Sequence, residues 1–326
     1  MLSLLTALWR MLTVYLGATL AFFLLSALNI SPRASFYARI LASYGTLIFC
    51  ASYGVIASIV LRLFGKQNIA QWATARSFHY TMALTTGVHF EIVEGKEYLD
   101  TRPCVLIGNH QSELDVLLLG TIFPKYCSVT AKSSLARMPF LGWFMTLSGT
   151  VFIDRANRES AVAAFEKAAQ RMKRERQSVF IFPEGTRSYA NGPELGAFKK
   201  GAFHLAVQAG MPVVPVVAGN YWGVLSVREQ RFRGGRIPVK GTPFHSLNTD
   251  KLTRDTNLKL IVLPPIPTAH LTAADVEELT HSTRELMLKE LIALTESPMG
   301  QKATKAEITA GEEDLARLAT QHLHQQ

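Results

Sequence analysis

The chain has 326 residues, with 34 Lys and Arg against 25 Asp and Glu for a formal net charge of +9, and its mean hydropathy is +0.15. That length allows one sizeable core plus a membrane anchor, the hydropathy is high for a soluble protein, and the charge suits anionic surfaces or substrates. Dispersed basic residues without an aromatic–basic motif argue against nucleic acid, while Cys50, Cys104 and Cys127 lack metal-ligand spacing, are too few for a disulfide framework, and read as small buried hydrophobes.

Residues 11–30 form an apolar run bounded by Arg10 and by Pro32-Arg33, long enough to cross about 30 Å of hydrocarbon. Arg10 is a thin positive region for a cleaved signal peptide, and no clear small-x-small site precedes Asn29. A second apolar segment, 40–64, comes after a short basic linker, so the two make a hairpin. It either spans the bilayer or dips into one leaflet; if both arms cross, Arg62 and Lys66 favour a cytosolic face for the domain C-terminal to them. Residues 67–86 read as an amphipathic link with Trp72, Phe78 and Tyr80 suited to the interface.

The remainder alternates strands and helices. Strands are expected at 88–93, 104–107, 126–131, 151–153, 179–182, 213–218, 237–240 and 258–263, and helices at 112–123, 158–176, 202–209 and from Thr272 to about Thr295. In 158–176 the apolar positions Val162, Phe165, Ala169 and Met172 line one side, and the basic residues opposite read as a solvated face. Pro215 suggests an edge or end position for its strand. The pattern predicts an α/β fold, a mostly parallel or mixed sheet flanked by helices, preceded by the N-terminal membrane helical hairpin. The expected divisions are 1–66 for the hairpin, 67–295 for the catalytic domain and 296–326 for a polar tail.

Two turns carry the chemistry. Gly108-Asn109-His110-Gln111-Ser112-Glu113-Leu114-Asp115 lies between apolar runs, as a strand, a turn and a helix start. Ser112 and Asp115 make a capping box, and the same carboxylate is positioned to fold back on His110, fix its tautomer and stabilise the imidazolium. Val179-Phe-Ile-Phe-Pro-Glu-Gly-Thr-Arg187 is a second strand ending in a turn with an arginine. An arginine fork beside free backbone N–H groups is a good phosphate receptor. No HExxH, Gly-x-Ser-x-Gly or P-loop pattern is present, against zincins, the usual serine lipases and nucleotide triphosphatases.

His110-x-x-x-x-Asp115 and Phe182-Pro-Glu-Gly-Thr-Arg-Ser188 together resemble the diagnostic motifs of the membrane-bound glycerolipid acyltransferases, within which the chain is most similar to the 1-acyl-sn-glycerol-3-phosphate acyltransferases of the eukaryotic endoplasmic-reticulum type. Ala131-Lys-Ser-Ser-Leu-Ala-Arg-Met-Pro-Phe-Leu-Gly-Trp143, Gly149-Thr-Val-Phe-Ile-Asp-Arg155, Phe198-Lys-Lys-Gly-Ala-Phe-His-Leu-Ala206 and Met211-Pro-Val-Val-Pro-Val-Val217 match the family's other blocks in order and spacing. The likeness runs from about residue 88 to 217.

The resemblance implies acyl transfer from acyl-CoA to the sn-2 hydroxyl of lysophosphatidic acid, giving phosphatidic acid directly, without an acyl-enzyme. It makes His110 the base and Asp115 its orienting partner, and assigns Glu184, Gly185, Thr186 and Arg187 to the acceptor, with Lys132 and Arg155 as further headgroup or CoA-phosphate candidates. Backbone N–H groups around His110 or at Gly185 are the candidate oxyanion donors. No metal or cofactor beyond the acyl-CoA co-substrate is implied; the partners are acyl-CoA, lysophosphatidic acid and the bilayer. The expected location is the endoplasmic reticulum with the active site facing the cytosol, or lipid droplets. Alternatives are an acceptor with a larger headgroup, glycerol 3-phosphate, a membrane lipid hydrolase, or a non-catalytic protein that kept the fold.

Overall fold

The computed structural model describes residues 2–234 and 257–296. Helices α1 (Leu2–Ala27) and α2 (Ala34–Leu63) open the chain, and both are long and apolar enough to cross a membrane. The 26 residues of α1 span about 39 Å at 1.5 Å per residue. Its apolar side chains face outward along its length, Leu5, Trp9, Leu20 and Leu24 among them.

Helix α2 differs, because one of its faces belongs to the core. It lies along α3 (Ala70–Thr86), joined by Cys50 Sγ to Ser77 Oγ and Thr81 Oγ1 at 3.3 and 3.2 Å and by Thr46 Oγ1 to Thr85 Oγ1 at 3.1 Å. Further along, it meets α5 (Leu141–Leu147). A Cβ at Gly54 would stand 2.5 Å from the Phe144 ring, so glycine permits the close approach. Phe36 and Phe78 enter the same buried cluster as Leu106 and Phe180. Phe78 is therefore a core residue and Trp72 packs beside it, leaving Tyr80 as the exposed member of the three aromatics expected at the interface.

The remaining elements are β1 (His89–Glu94), β2 (Val105–Gly108), α4 (Asp115–Ile122), β3 (Cys127–Lys132), β4 (Val151–Ile153), α6 (Arg158–Glu175), β5 (Ser178–Ile181), α7 (Gly201–Ala209), β6 (Val213–Ala218), β7 (Leu225–Ser226), β8 (Arg231–Phe232), β9 (Asn257–Val262) and α8 (Val276–Glu296). Seven of the strands form one mixed sheet in the order β1-β9-β6-β2-β5-β3-β4, and β7-β8 is a separate ribbon. β6 and β9 pair antiparallel; every other neighbouring pair in the large sheet is parallel. The expected strand at 237–240 lies outside the described residues, as does the tail beyond 296.

Both faces of the central strands are buried, as a sheet covered on two sides requires. Leu106, Phe180, Val214 and Val216 point to the layer holding α2, α3 and α4, and Val105, Ile107, Val179, Ile181, Val213 and Val217 point to α6, α7 and α8. Fully burying each such side chain contributes roughly 1.5–3 kcal/mol.

β6 is an interior strand, contrary to the edge position suggested by Pro215. Pro215 carbonyl accepts from Leu263 N at 2.9 Å, just beyond the Val216–Val262 end of the β6–β9 ladder. The missing N–H faces that same side, so the proline forgoes the reciprocal bond to Leu263, and the β6–β9 ladder stops at Val216–Val262.

Candidate active site

Parallel α/β sheets place sites beyond the carboxyl ends of their strands, and here β2, β5 and β6 converge on one such place. After Gly108 the chain leaves β2 as a compact turn, and α4 begins at Asp115, later than the expected Ser112. Half of the capping box forms. Asp115 Oδ2 accepts from the Ser112 N–H at 3.2 Å, while Ser112 Oγ takes the Leu114 N–H at 3.2 Å. Asn109 ties the turn to the end of β6, its amide exchanging two 2.9 Å bonds with the Ala218 backbone. Gln111 adds bonds to Ala218 O and Gly219 O at 3.0 and 3.1 Å.

The frame holds a His–Asp pair. His110 Nδ1 lies 2.5 Å from Asp115 Oδ2, with the imidazole side chain 17% exposed and the carboxylate 3%. The carboxylate also accepts the Gln111 N–H at 2.9 Å, and its Oδ1 takes the hydroxyl of Tyr221. With Nδ1–H donating to the carboxylate, Nε2 is the nitrogen that carries a lone pair. The ring stacks on Phe182, centroids 4.2 Å apart at 15°, which fixes its plane.

Glu184 binds the second motif to the first. Its Oε1 accepts the His110 N–H at 2.7 Å and its Oε2 the Gly196 N–H at 2.9 Å. Burial pushes this carboxyl above its ordinary value, and the two N–H bonds oppose the rise. Two backbone bonds complete the join, Ser188 N to His110 O at 2.9 Å and Tyr189 N to Gln111 O at 3.1 Å. Arg187 lies on this loop, with Nη1 3.0 Å from Glu113 Oε1 and 3.2 Å from Tyr189 Oη. The arginine and the imidazole therefore stand on two turns laced to each other.

Residues 91–219 match the family model described as Acyltransferase. Over 271 residues, 83% of this chain and 82% of the relative, the sequence is 40% identical to the 1-acyl-sn-glycerol-3-phosphate acyltransferase of Saccharomyces cerevisiae. The chain belongs to the 1-acyl-sn-glycerol-3-phosphate acyltransferase family. It is 35% identical over 287 residues to the human 1-acyl-sn-glycerol-3-phosphate acyltransferase beta, covering 86% of this chain and 92% of that one. The fold is also that of the crystal structure of the 1-acyl-sn-glycerophosphate (LPA) acyltransferase PlsC from Thermotoga maritima. That match has a TM-score of 0.57 at 20% identity and covers 88% of this chain and 99% of that one.

The other expected positions of this acyltransferase fall into distinct environments. Gly185 has φ +70, a left-handed turn that glycine adopts without strain, and Thr186 and Arg187 come next, both exposed. Arg155 Nη1 donates to the Gly185 carbonyl, bracing the loop from outside. Lys132, exposed, ends β3 at the same end of the sheet as the site, with β5 between β3 and β2. Lys199 Nζ stands over Gly185, where a Cβ would meet it at 2.9 Å. Lys200 instead pairs with Glu277 at 3.0 Å.

The expected oxyanion donors are already committed. The N–H groups of His110, Gln111 and Ser112 go to Glu184 and Asp115, and that of Gly185 goes to Phe182 O at 3.1 Å. Among the described residues, no protein acceptor takes the N–H of Thr186 or Arg187.

Cys104 is fully buried and burial pushes its thiol up to about 12, while Ser112 is buried with its hydroxyl on Leu114 N. Sequence reasoning missed Tyr221, Phe182, Glu113 and Tyr189 as parts of the site. Phe182 sat inside the quoted motif, but nothing local marks Tyr221.

Proposed function

We propose that this acyltransferase moves a fatty acyl group from acyl-CoA to the sn-2 hydroxyl of 1-acyl-sn-glycerol 3-phosphate, forming phosphatidic acid. The observation that carries the proposal is the His110–Asp115 pair at 2.5 Å, on a turn bonded through its backbone to the loop bearing Arg187.

An alcohol is a weak nucleophile, and an imidazole is suited to take its proton at neutral pH. His110 Nε2 accepts the hydroxyl proton as the oxygen attacks the thioester carbonyl. Asp115 holds Nδ1–H and stabilises the imidazolium. The tetrahedral intermediate collapses with cleavage of the C–S bond, and the imidazolium returns its proton to the CoA sulfur.

Arg187 takes the phosphate monoester of the acceptor, exchanging Glu113 for it. The Thr186 and Arg187 N–H groups are the available backbone donors for the same anion or for the oxyanion. Glu184 serves as the strut of the loop, with Lys132, Arg155 and Lys199 adding positive potential for the headgroup or CoA phosphates. The chemistry draws on no metal and no cofactor beyond acyl-CoA. The membrane is that of the endoplasmic reticulum, with the site on its cytosolic face, or of lipid droplets. A site at the bilayer surface receives single-tailed acceptors without their leaving the membrane.

The test is purified full-length protein with labelled acyl-CoA and a panel of lysophosphatidic acid, other lysophospholipids and glycerol 3-phosphate, run beside His110→Ala. Phosphatidic acid formed by the wild type and not by the variant supports the assignment. Preference for another acceptor moves the substrate, release of free fatty acid without an acceptor identifies a hydrolase, and full turnover by His110→Ala removes the proposed base.

A further inference from the structure

Away from the His–Asp site, α1, α2 and α3 line an open cavity of about 540 Å³, within the size range of small-molecule sites. Leu16 and Phe23 of α1, Phe49 of α2 and Leu84 of α3 give it apolar walls, and Arg39 of α2 borders it. None of these residues belongs to the acyl-transfer site. Arg39 is half-buried in the second turn of α2 and has no carboxylate partner among the described residues.

Part of its guanidinium is accounted for. Nε donates to Thr86 O at 2.9 Å, capping the end of α3, and Nη1 donates to Ser35 Oγ. The carbonyl end of α3 offsets part of the charge through its helix dipole, but no carboxylate among the described residues neutralises the rest. An anion would complete the pairing of a cation in a membrane-anchoring helix, and the apolar walls call for one that carries a hydrocarbon tail.

We infer that this cavity is a binding site for an anionic glycerophospholipid of the bilayer, its phosphate on Arg39 and an acyl chain between α1, α2 and α3. Charge complementarity selects the headgroup, since guanidinium and phosphate form charge-assisted bonds. The apolar walls select a lipid over free phosphate. The bound lipid cements α1, the arm whose apolar side chains otherwise face outward, to the half-buried α2.

The test uses the full chain in phosphatidylcholine nanodiscs carrying a trace of diacyl phosphatidylglycerol with a photoactivatable group in one acyl chain. A diacyl lipid has no free sn-2 hydroxyl, so its binding is independent of whether the acyl-transfer assignment holds. Cross-links are expected on Phe23, Phe49 and Leu84, and about tenfold fewer with a phosphatidylcholine probe or in Arg39→Gln, the loss of one charged hydrogen-bonding partner. Ala42→Phe, which fills the cavity and leaves Arg39 in place, is expected to abolish them. Thermal unfolding checks that each variant folds; should Arg39→Gln fail, the probe comparison and Ala42→Phe decide. Equal labelling by both probes, undiminished labelling in folded Arg39→Gln or in Ala42→Phe, or cross-links confined to outward residues such as Leu5 and Leu20 would overturn the inference.

Discussion

Tyr221 donates its hydroxyl to Oδ1 of Asp115 while Oδ2 of the same carboxylate holds His110. The two oxygens thus have separate partners, one tied to the segment after β6 and the other to the His110 ring. Tyr221→Phe keeps the ring, which packs edge-on against Phe90 at 5.8 Å, and removes only that bond. A bond to a charged group contributes about 1.5–3 kcal/mol, so activity is expected to fall by roughly tenfold. The carboxylate loses one of its anchors, so kcat is expected to fall more than the KM for the lysolipid changes. Unchanged kcat would show that the hydroxyl serves packing alone.

Tyr221 also predicts an alkaline weakness. Burial, with the charge of Asp115, holds its phenol well above the ordinary tyrosine range. Above about pH 10 the unfolded chain releases this proton while the native chain keeps it, so stability falls as pH rises from there. Denaturant midpoints measured between neutral and alkaline pH should decline less steeply in Tyr221→Phe than in the wild type.

His110→Ala is expected to cost about a hundred- to ten-thousand-fold in kcat, the range for a general base. The ring ends partly exposed against Phe182, so thermal unfolding should change little. Activity and melting curves on the same preparation separate the two effects.

Arg187→Ala should raise the apparent KM for the lysophospholipid more than it lowers kcat. Glu113→Gln should do the reverse to KM, since Glu113 occupies the guanidinium at 3.0 Å and competes with the incoming phosphate. Saturation curves in the lysolipid, at fixed acyl-CoA, decide both.

Glu184→Ala should disable by unfolding more than by chemistry. It orphans two N–H donors, of His110 and Gly196, each costing about 1–3 kcal/mol if left unpaired. The expected result is a lowered melting temperature together with lost activity, whereas full thermal stability with an altered KM would make it a substrate contact.

Cys50, Cys104 and Cys127 are all buried. Alkylation should be negligible in the native protein and complete in denaturant, and early labelling of Cys104 would contradict its burial beside β2.

The sequence alone determined what local pattern encodes. Alternating and continuous apolar runs located the seven strands of the large sheet to within a residue or two, but not the short β7–β8 ribbon. Gly210 marked the stop of α7, with φ +67, and the unbroken apolar runs marked the hairpin. The motif blocks pointed to His110, Asp115 and Arg187, because two short turns hold all three within a few residues of a strand end.

Only the tertiary structure decided which distant groups meet. Tyr221 lies 106 residues from Asp115 and Glu184 74 from His110, separations at which no periodicity or cap pattern operates. The same holds for Pro215 inside the sheet, at the point where the β6–β9 ladder stops, and for α2, whose composition reads as a plain membrane helix although Phe36 and Cys50 are buried against the core. Apolar character and residue type record that a group will be buried or bonded. The partner is chosen by strand order and helix packing, which depend on the whole chain at once.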